Sequence, residues 1–108
     1  MTQTFAPQEA YAMINRGDAY GVDVREPDEW SAGRAPGVSW NPLSNFNAAT
    51  LPTDKPLIFI CRSGNRSAQV CTALAPTRTN IYNMLGGMQA WHAAGLPMVA
   101  DAGNPRVA

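Results

Sequence analysis

The sequence predicts one α/β domain with a central, mainly parallel sheet, and three observations carry that prediction. Short β-branched or aromatic runs alternate with stretches of helical composition. The length, 108 residues, fits a single domain with a single core. The run Leu57-Ile58-Phe59-Ile60 is apolar at every position and bounded by Pro56 and a polar, Gly-containing segment, so it reads as a buried strand.

The elements follow in order. Pro7 suits the first turn of a helix, and Ala10, Tyr11 and Ile14 recur at helical spacing up to about Asn15, with Gly17 as terminator. Tyr20-Gly21-Val22-Asp23-Val24 reads as a short buried strand. Arg25 to Trp30 opens a turn and a short helix, with Pro27 near its start and acids in its first turn. Gly33 and Pro36-Gly37 punctuate a loop, Val38-Ser39-Trp40 reads as a brief strand, and Asn41 to Ala49 as a short helix. After Leu57–Ile60 and a polar loop, Arg66 to Ala75 has helical composition and stops at Pro76. Ile81 to Met84 is a further strand, Gly86-Gly87 a turn, and Met88 to Ala94 a helix ended by Gly95. The expectation is a domain over 1–98 and a loosely held tail over 99–108.

Composition narrows the function. Eight basic and eight acidic side chains give a formal net charge of 0, which supports no binding of nucleic acid by bulk charge. No apolar stretch approaches the length of a membrane span, so no membrane partner is expected. The start, Met1 to Pro7, has neither the basic region nor the apolar region of a signal peptide. Two cysteines, Cys61 and Cys71, are too few for a disulfide framework and match no zinc spacing, and His92 is the single histidine. A reducing, cytoplasmic setting without a metal or organic cofactor is the expectation.

Cys61 is the informative residue. It opens Cys61-Arg62-Ser63-Gly64-Asn65-Arg66-Ser67 between the buried strand and the following helix. Free amides at a helix N-terminus carry partial positive charge and favour an anion, whether thiolate or sulfate-like ligand. Arg62 and Arg66 add to that field, and such surroundings lower a cysteine pKa, making the thiolate the nucleophile. A buried structural thiol is the plain alternative for Cys61, and its position between an apolar strand and a doubly basic loop argues against it. In α/β sheets ligands bind beyond the carboxyl ends of the strands, where Cys61 falls.

Three segments together resemble the rhodanese family in its small single-domain form. They are Asp23-Val24-Arg25-Glu26-Pro27-Asp28-Glu29-Trp30 with Gly33-Arg34-Ala35-Pro36-Gly37-Val38, then Cys61 to Ser67, then Asn83-Met84-Leu85-Gly86-Gly87-Met88-Gln89-Ala90-Trp91 closing with Gly95-Leu96-Pro97. The resemblance implies a three-layer rhodanese-like fold, its sheet flanked by helices, and a sulfurtransferase activity. A sulfane sulfur would pass from a donor such as thiosulfate to Cys61, and from the resulting persulfide to cyanide or a thiol, including a protein acceptor. Arg34 stands where family members often have histidine.

The residues suit that chemistry. Thiosulfate is a dianion that Arg62 and Arg66 can attract, and the donors that favour the Cys61 thiolate also favour departing sulfite. Ser63, Gly64 and Asn65 complete the substrate-binding loop. Arg66 either binds the anion or pairs with a carboxylate to brace the loop, with bracing preferred. Ser67 can donate a hydrogen bond to the Cys61 sulfur and can cap the helix, and the two roles are compatible. Asp23 and Arg25, at the end of a neighbouring strand, read first as an ion pair or loop anchor, with a substrate role open for Arg25.

Two rivals are weighed. A phosphatase of related fold needs a wider loop, with five residues between cysteine and arginine. Here four residues separate Cys61 from Arg66, and no acidic residue in or just after the loop can act as general acid. A partner-binding or persulfide-relay module is the other rival, and a purely binding module has no need of the nucleophile. Cys71 reads as a core thiol on the helix, and His92 as exposed and idle.

Overall fold

The computed structural model describes residues 3–108. Five strands and four α-helices alternate: β1 (Thr4–Phe5), α1 (Pro7–Arg16), β2 (Tyr20–Asp23), α2 (Pro27–Ala32), β3 (Ser39–Trp40), β4 (Leu57–Ile60), α3 (Asn65–Leu74), β5 (Ile81–Met84) and α4 (Gly87–Ala93). The strands form one sheet in the order β1-β5-β4-β2-β3, and every pair is parallel. The expected mainly parallel sheet is therefore wholly parallel among its named strands. No helix among the described residues is long and apolar enough to cross a membrane.

β4 lies at the centre of the sheet, which explains its composition. A strand covered on both faces has no solvated side, so every residue is apolar. Successive side chains then serve opposite layers. Ile58 and Ile60 join Ala10 of α1 and Met88 and Trp91 of α4 in one core cluster. Leu57 and Phe59 join Val22 of β2 and Val70 and Cys71 of α3 in the other. The alternation continues one residue past the strand, so Cys61 belongs to the α3 side. Tyr11 of α1 meets Trp91 of α4 edge to face, with ring centroids 5.6 Å apart.

Three expectations need correction. β1 was not expected: its two residues show no periodicity, and it exists because β5 offers a free edge that pairs with Thr4 and Phe5. The helix expected over Asn41 to Ala49 is two single 3-10 turns, Leu43–Asn45 and Ala48–Thr50. Here the Asn41 amide competes with a helical ladder, accepting from the Asn47 N–H at 2.9 Å and donating to the Asn47 carbonyl at 3.0 Å. The segment 99–108, expected to be loosely held, is tied down. Val99 and Arg34 exchange two backbone hydrogen bonds of 2.9 Å, and the amides of Asp101 and Arg106 donate to the carbonyls of Ser31 and Ala32 at 3.0 Å. Val107 packs against the α1–α4 core cluster.

Candidate active site

The site is built where β4 stops. Cys61 is fully buried, and Gly64 turns the chain into α3 with φ 97°. That left-handed conformation favours glycine, and a Cβ there would also lie 3.2 Å from the Gly86 amide nitrogen. The turn aims the Gly64 N–H at the Cys61 sulfur, 3.1 Å away. One turn into α3, the Ser67 hydroxyl lies 3.2 Å from the same sulfur. Both expected roles of Ser67 were local, and the contact with sulfur is the one formed; α3 has no side-chain cap.

Burial pushes the Cys61 thiol up. The Ser67 hydroxyl and the backbone amides of Ser67, Gly64 and Ser63 pull it down, and together they outweigh burial and leave it below the usual thiol value. Cys71, on the same core side, has burial without such donors and is pushed up to about 11. Cys71 lies buried in the core, and Cys71→Ser is expected to leave thiolate reactivity at Cys61 unchanged in an alkylation assay. Both cysteines are free.

The first turn of α4 grips the other side of the loop. The Met88 N–H donates to the Cys61 carbonyl at 2.8 Å, and the Gln89 N–H to the Arg62 carbonyl at 3.0 Å. This approach requires glycine at position 87, where φ is 58° and a Cβ would lie 2.5 Å from the Cys61 carbonyl oxygen. The Cys61 loop is therefore held through its main chain.

Arg66 forks onto Glu29 of α2, with Nη1 to Oε1 at 2.8 Å and Nη2 to Oε2 at 2.7 Å. The hydrogen bonds from Arg66 lower the Glu29 pKa, and those to Glu29 raise that of Arg66. This is the bracing geometry, with Arg66 already bound to a carboxylate. Arg62, Ser63 and Asn65 are exposed at the rim of the loop. Arg62 Nε donates to the Ala108 carbonyl at 2.9 Å.

Asp23 and Arg25 form a fully buried ion pair at the end of β2. Arg25 Nη2 reaches Asp23 Oδ2 at 2.8 Å and the Gly33 carbonyl at 2.7 Å, while Arg25 Nε contacts both carboxylate oxygens. The Arg25 carbonyl accepts from Trp40 Nε1 at 2.8 Å. The pair fastens the β2 end to the turn after α2, next to Ile60 on β4. Arg34 is engaged likewise, with its guanidinium 4.8 Å from the centre of the Trp30 ring and Nη1 2.8 Å from Asp101. His92 is exposed on α4.

Two residues of the site escaped sequence reasoning. Glu29 is the partner of Arg66, and Asn83 of β5 contacts Ser67 through Oδ1 and the Gly64 carbonyl through Nδ2, the latter at 3.1 Å. The signal for Asn83 was an amide inside an otherwise apolar strand, where a buried polar group requires partners.

The chain is similar to known proteins over most of its length. The family model described as Rhodanese-like domain matches residues 6–94. A sulfurtransferase of Allochromatium vinosum is 36% identical over 89 residues, covering 80% of this chain and 83% of that protein. A thiosulfate sulfurtransferase of Actinobacillus succinogenes is 33% identical over 95 residues, covering 85% and 86%. The crystal structure of a rhodanese-related protein from Thermoplasma volcanium superposes with a TM-score of 0.82 at 31% identity, covering 90% of this chain and 97% of that one.

Proposed function

The chain belongs to the rhodanese family, its relatives support a sulfurtransferase activity, and on that premise we propose that it moves sulfane sulfur from thiosulfate through a persulfide on Cys61. The observation that carries this reading is the pair of donors on the Cys61 sulfur, the Gly64 amide and the Ser67 hydroxyl, at the mouth of α3.

The thiolate of Cys61 attacks the outer sulfur of thiosulfate. The new S–S bond forms as the bond to the sulfonate sulfur breaks, and sulfite leaves with the electron pair. The charge then rests on the outer sulfur of the persulfide, where the loop amides beside Cys61, those of Ser63 and Gly64, can stabilise it. Cyanide or a thiolate attacks that outer sulfur and restores the Cys61 thiolate, so no external oxidant or reductant is consumed. Arg62 steers the dianion at the rim, Arg66 holds the loop against α2, and Asp23 with Arg25 holds the strand end beside it. A thiol acceptor of this kind, small or on a protein, fits a reducing cytoplasmic setting.

Intact mass of the purified protein before thiosulfate, after it, and after cyanide tests the reading. A gain of one sulfur atom that cyanide removes is the expected result. No gain with thiosulfate rejects it as donor and favours a relay fed by a protein. Arg62→Ala is expected to raise the thiosulfate KM several-fold while leaving kcat within about twofold, since a rim charge acts on encounter rather than on the reacting atoms. An unchanged KM removes the steering role.

A further inference from the structure

Ser67 has one hydroxyl hydrogen and two acceptors in reach, the Cys61 sulfur and Asn83 Oδ1. The orientation of the Asn83 amide is fixed by its other end. The Gly64 carbonyl can only accept, so the atom facing it at 3.1 Å is the Nδ2 donor, and Oδ1 is left facing Ser67. Asn83, Ser67, Cys61 and Gly64 are all buried, so no bulk water relieves the competition.

We infer that Asn83 is a positioning residue that competes with Cys61 for the Ser67 hydrogen and so sets how readily the thiol ionises. With Cys61 protonated, the bonds run one way: the S–H donates to Ser67, Ser67 to Asn83, and Asn83 to the Gly64 carbonyl. Each group in the chain then has a partner. A persulfide is equally well served, because its inner sulfur carries no charge and leaves Ser67 free to donate to Asn83. Only the bare thiolate conflicts with the arrangement. If Ser67 turns to the sulfur, Oδ1 faces a bare hydroxyl oxygen; if it stays with Asn83, the thiolate keeps only the loop amides. The network thus fully partners the thiol and the persulfide, whereas the thiolate rests on the loop amides and shares the Ser67 hydrogen with Asn83, which tempers the support those donors give it. This inference rests on Cys61 being the nucleophile.

The charged and titratable groups around the sulfur are Arg62 and Arg66 of its own loop, Glu29 of α2 paired with Arg66, and Asp23 with Arg25 at the end of β2. Cys71 on α3, Tyr20 on β2, Asp28 on α2, Tyr82 on β5 and His92 on α4 are the other titratable groups on the packed elements. All stay in place when position 83 is changed, so their effect on Cys61 is common to the variants.

The experiment is a thiolate titration by ultraviolet absorbance, in a Cys71→Ser background and with the matching Cys61→Ser protein subtracted. Asn83→Leu removes the competing acceptor and is expected to lower the Cys61 pKa by about one unit, the size of one hydrogen bond to a charged group. Asn83→Asp keeps an acceptor, adds negative charge, and is expected to raise it. In a Ser67→Ala background the lowering by Asn83→Leu should disappear. A Leu variant that leaves the pKa unchanged, or shifts it equally with and without Ser67, overturns the inference. Asn83→Val, which suits a strand, replaces Leu if that variant does not fold. No sulfur donor enters this measurement. Shifts as expected in a protein that takes no sulfur would reject the proposed activity and leave the role of Asn83 standing.

Discussion

Cys61→Ser is expected to abolish persulfide formation and sulfur transfer, by on the order of a thousandfold or more, while the protein keeps its fold. A serine hydroxyl is not ionised in a field that suffices for a thiol, and no base is positioned to activate it, so the loss falls on the chemical step. The structural effect is small by comparison. Serine is close to cysteine in size, and its oxygen can accept the same Gly64 N–H that now points at the sulfur. The stability change is therefore expected within about 1 kcal/mol. Intact mass after thiosulfate reads the first effect and a thermal melt the second. Sulfur uptake near the wild-type level would move the chemistry away from this loop.

Arg25→Ala is expected to give the largest loss of stability among the site residues. Arg25 and Asp23 are both without solvent exposure. Truncating the guanidinium leaves the Asp23 carboxylate buried and uncompensated, and removes the donor to the Gly33 carbonyl. Breaking a buried pair in this way costs about 3–5 kcal/mol, against a total stability of about 5–15 kcal/mol for a domain. A fall in Tm on the order of 15 °C follows for a chain of this size. Replacing both partners with apolar residues of similar volume, Asp23→Leu with Arg25→Met, should recover much of it, because no charge is then stranded. A drop of only a few degrees for Arg25→Ala would mean that Asp23 finds another partner or takes up a proton. The exposed pair Arg16–Asp18 offers the contrast: its loss is expected to be nearly silent.

What could be read in the sequence was what local pattern encodes. The all-apolar run Leu57–Ile60, the glycine at the helix start and the placement of Cys61 between them are consecutive in the chain, so β4, its loop and α3 were legible together. Ser67 was legible as a neighbour of the sulfur because one helical turn carries it there. What stayed hidden depends on residues brought together across the chain. Thr4 and Phe5 become a strand only beside β5. The last residues have no periodicity, and their partners, Ser31, Ala32 and Arg34, lie far upstream. Arg66 called for a carboxylate, and nothing local pointed to Glu29 rather than another acid. Asn41 reads equally well as a helix starter and as the side-chain clip that prevents the helix.

The grip of α4 on the loop has a consequence for how this site tolerates change. Met88 and Gln89 bind the carbonyls of Cys61 and Arg62, and no side chain of the loop takes part in those two bonds. The cradle is thereby insulated from the identity of the residues that rim it. Arg62, Ser63 and Asn65 all face solvent, so substitutions there can alter charge and bulk at the rim while the main-chain frame of the loop persists. The burden of keeping that frame falls instead on two glycines: Gly64, whose turn aims its N–H at the sulfur, and Gly87 outside the loop, whose missing Cβ makes room for the Cys61 carbonyl. For anyone wishing to redirect donor or acceptor choice, the rim is open to a randomised library, and positions 64 and 87 are the ones to leave alone.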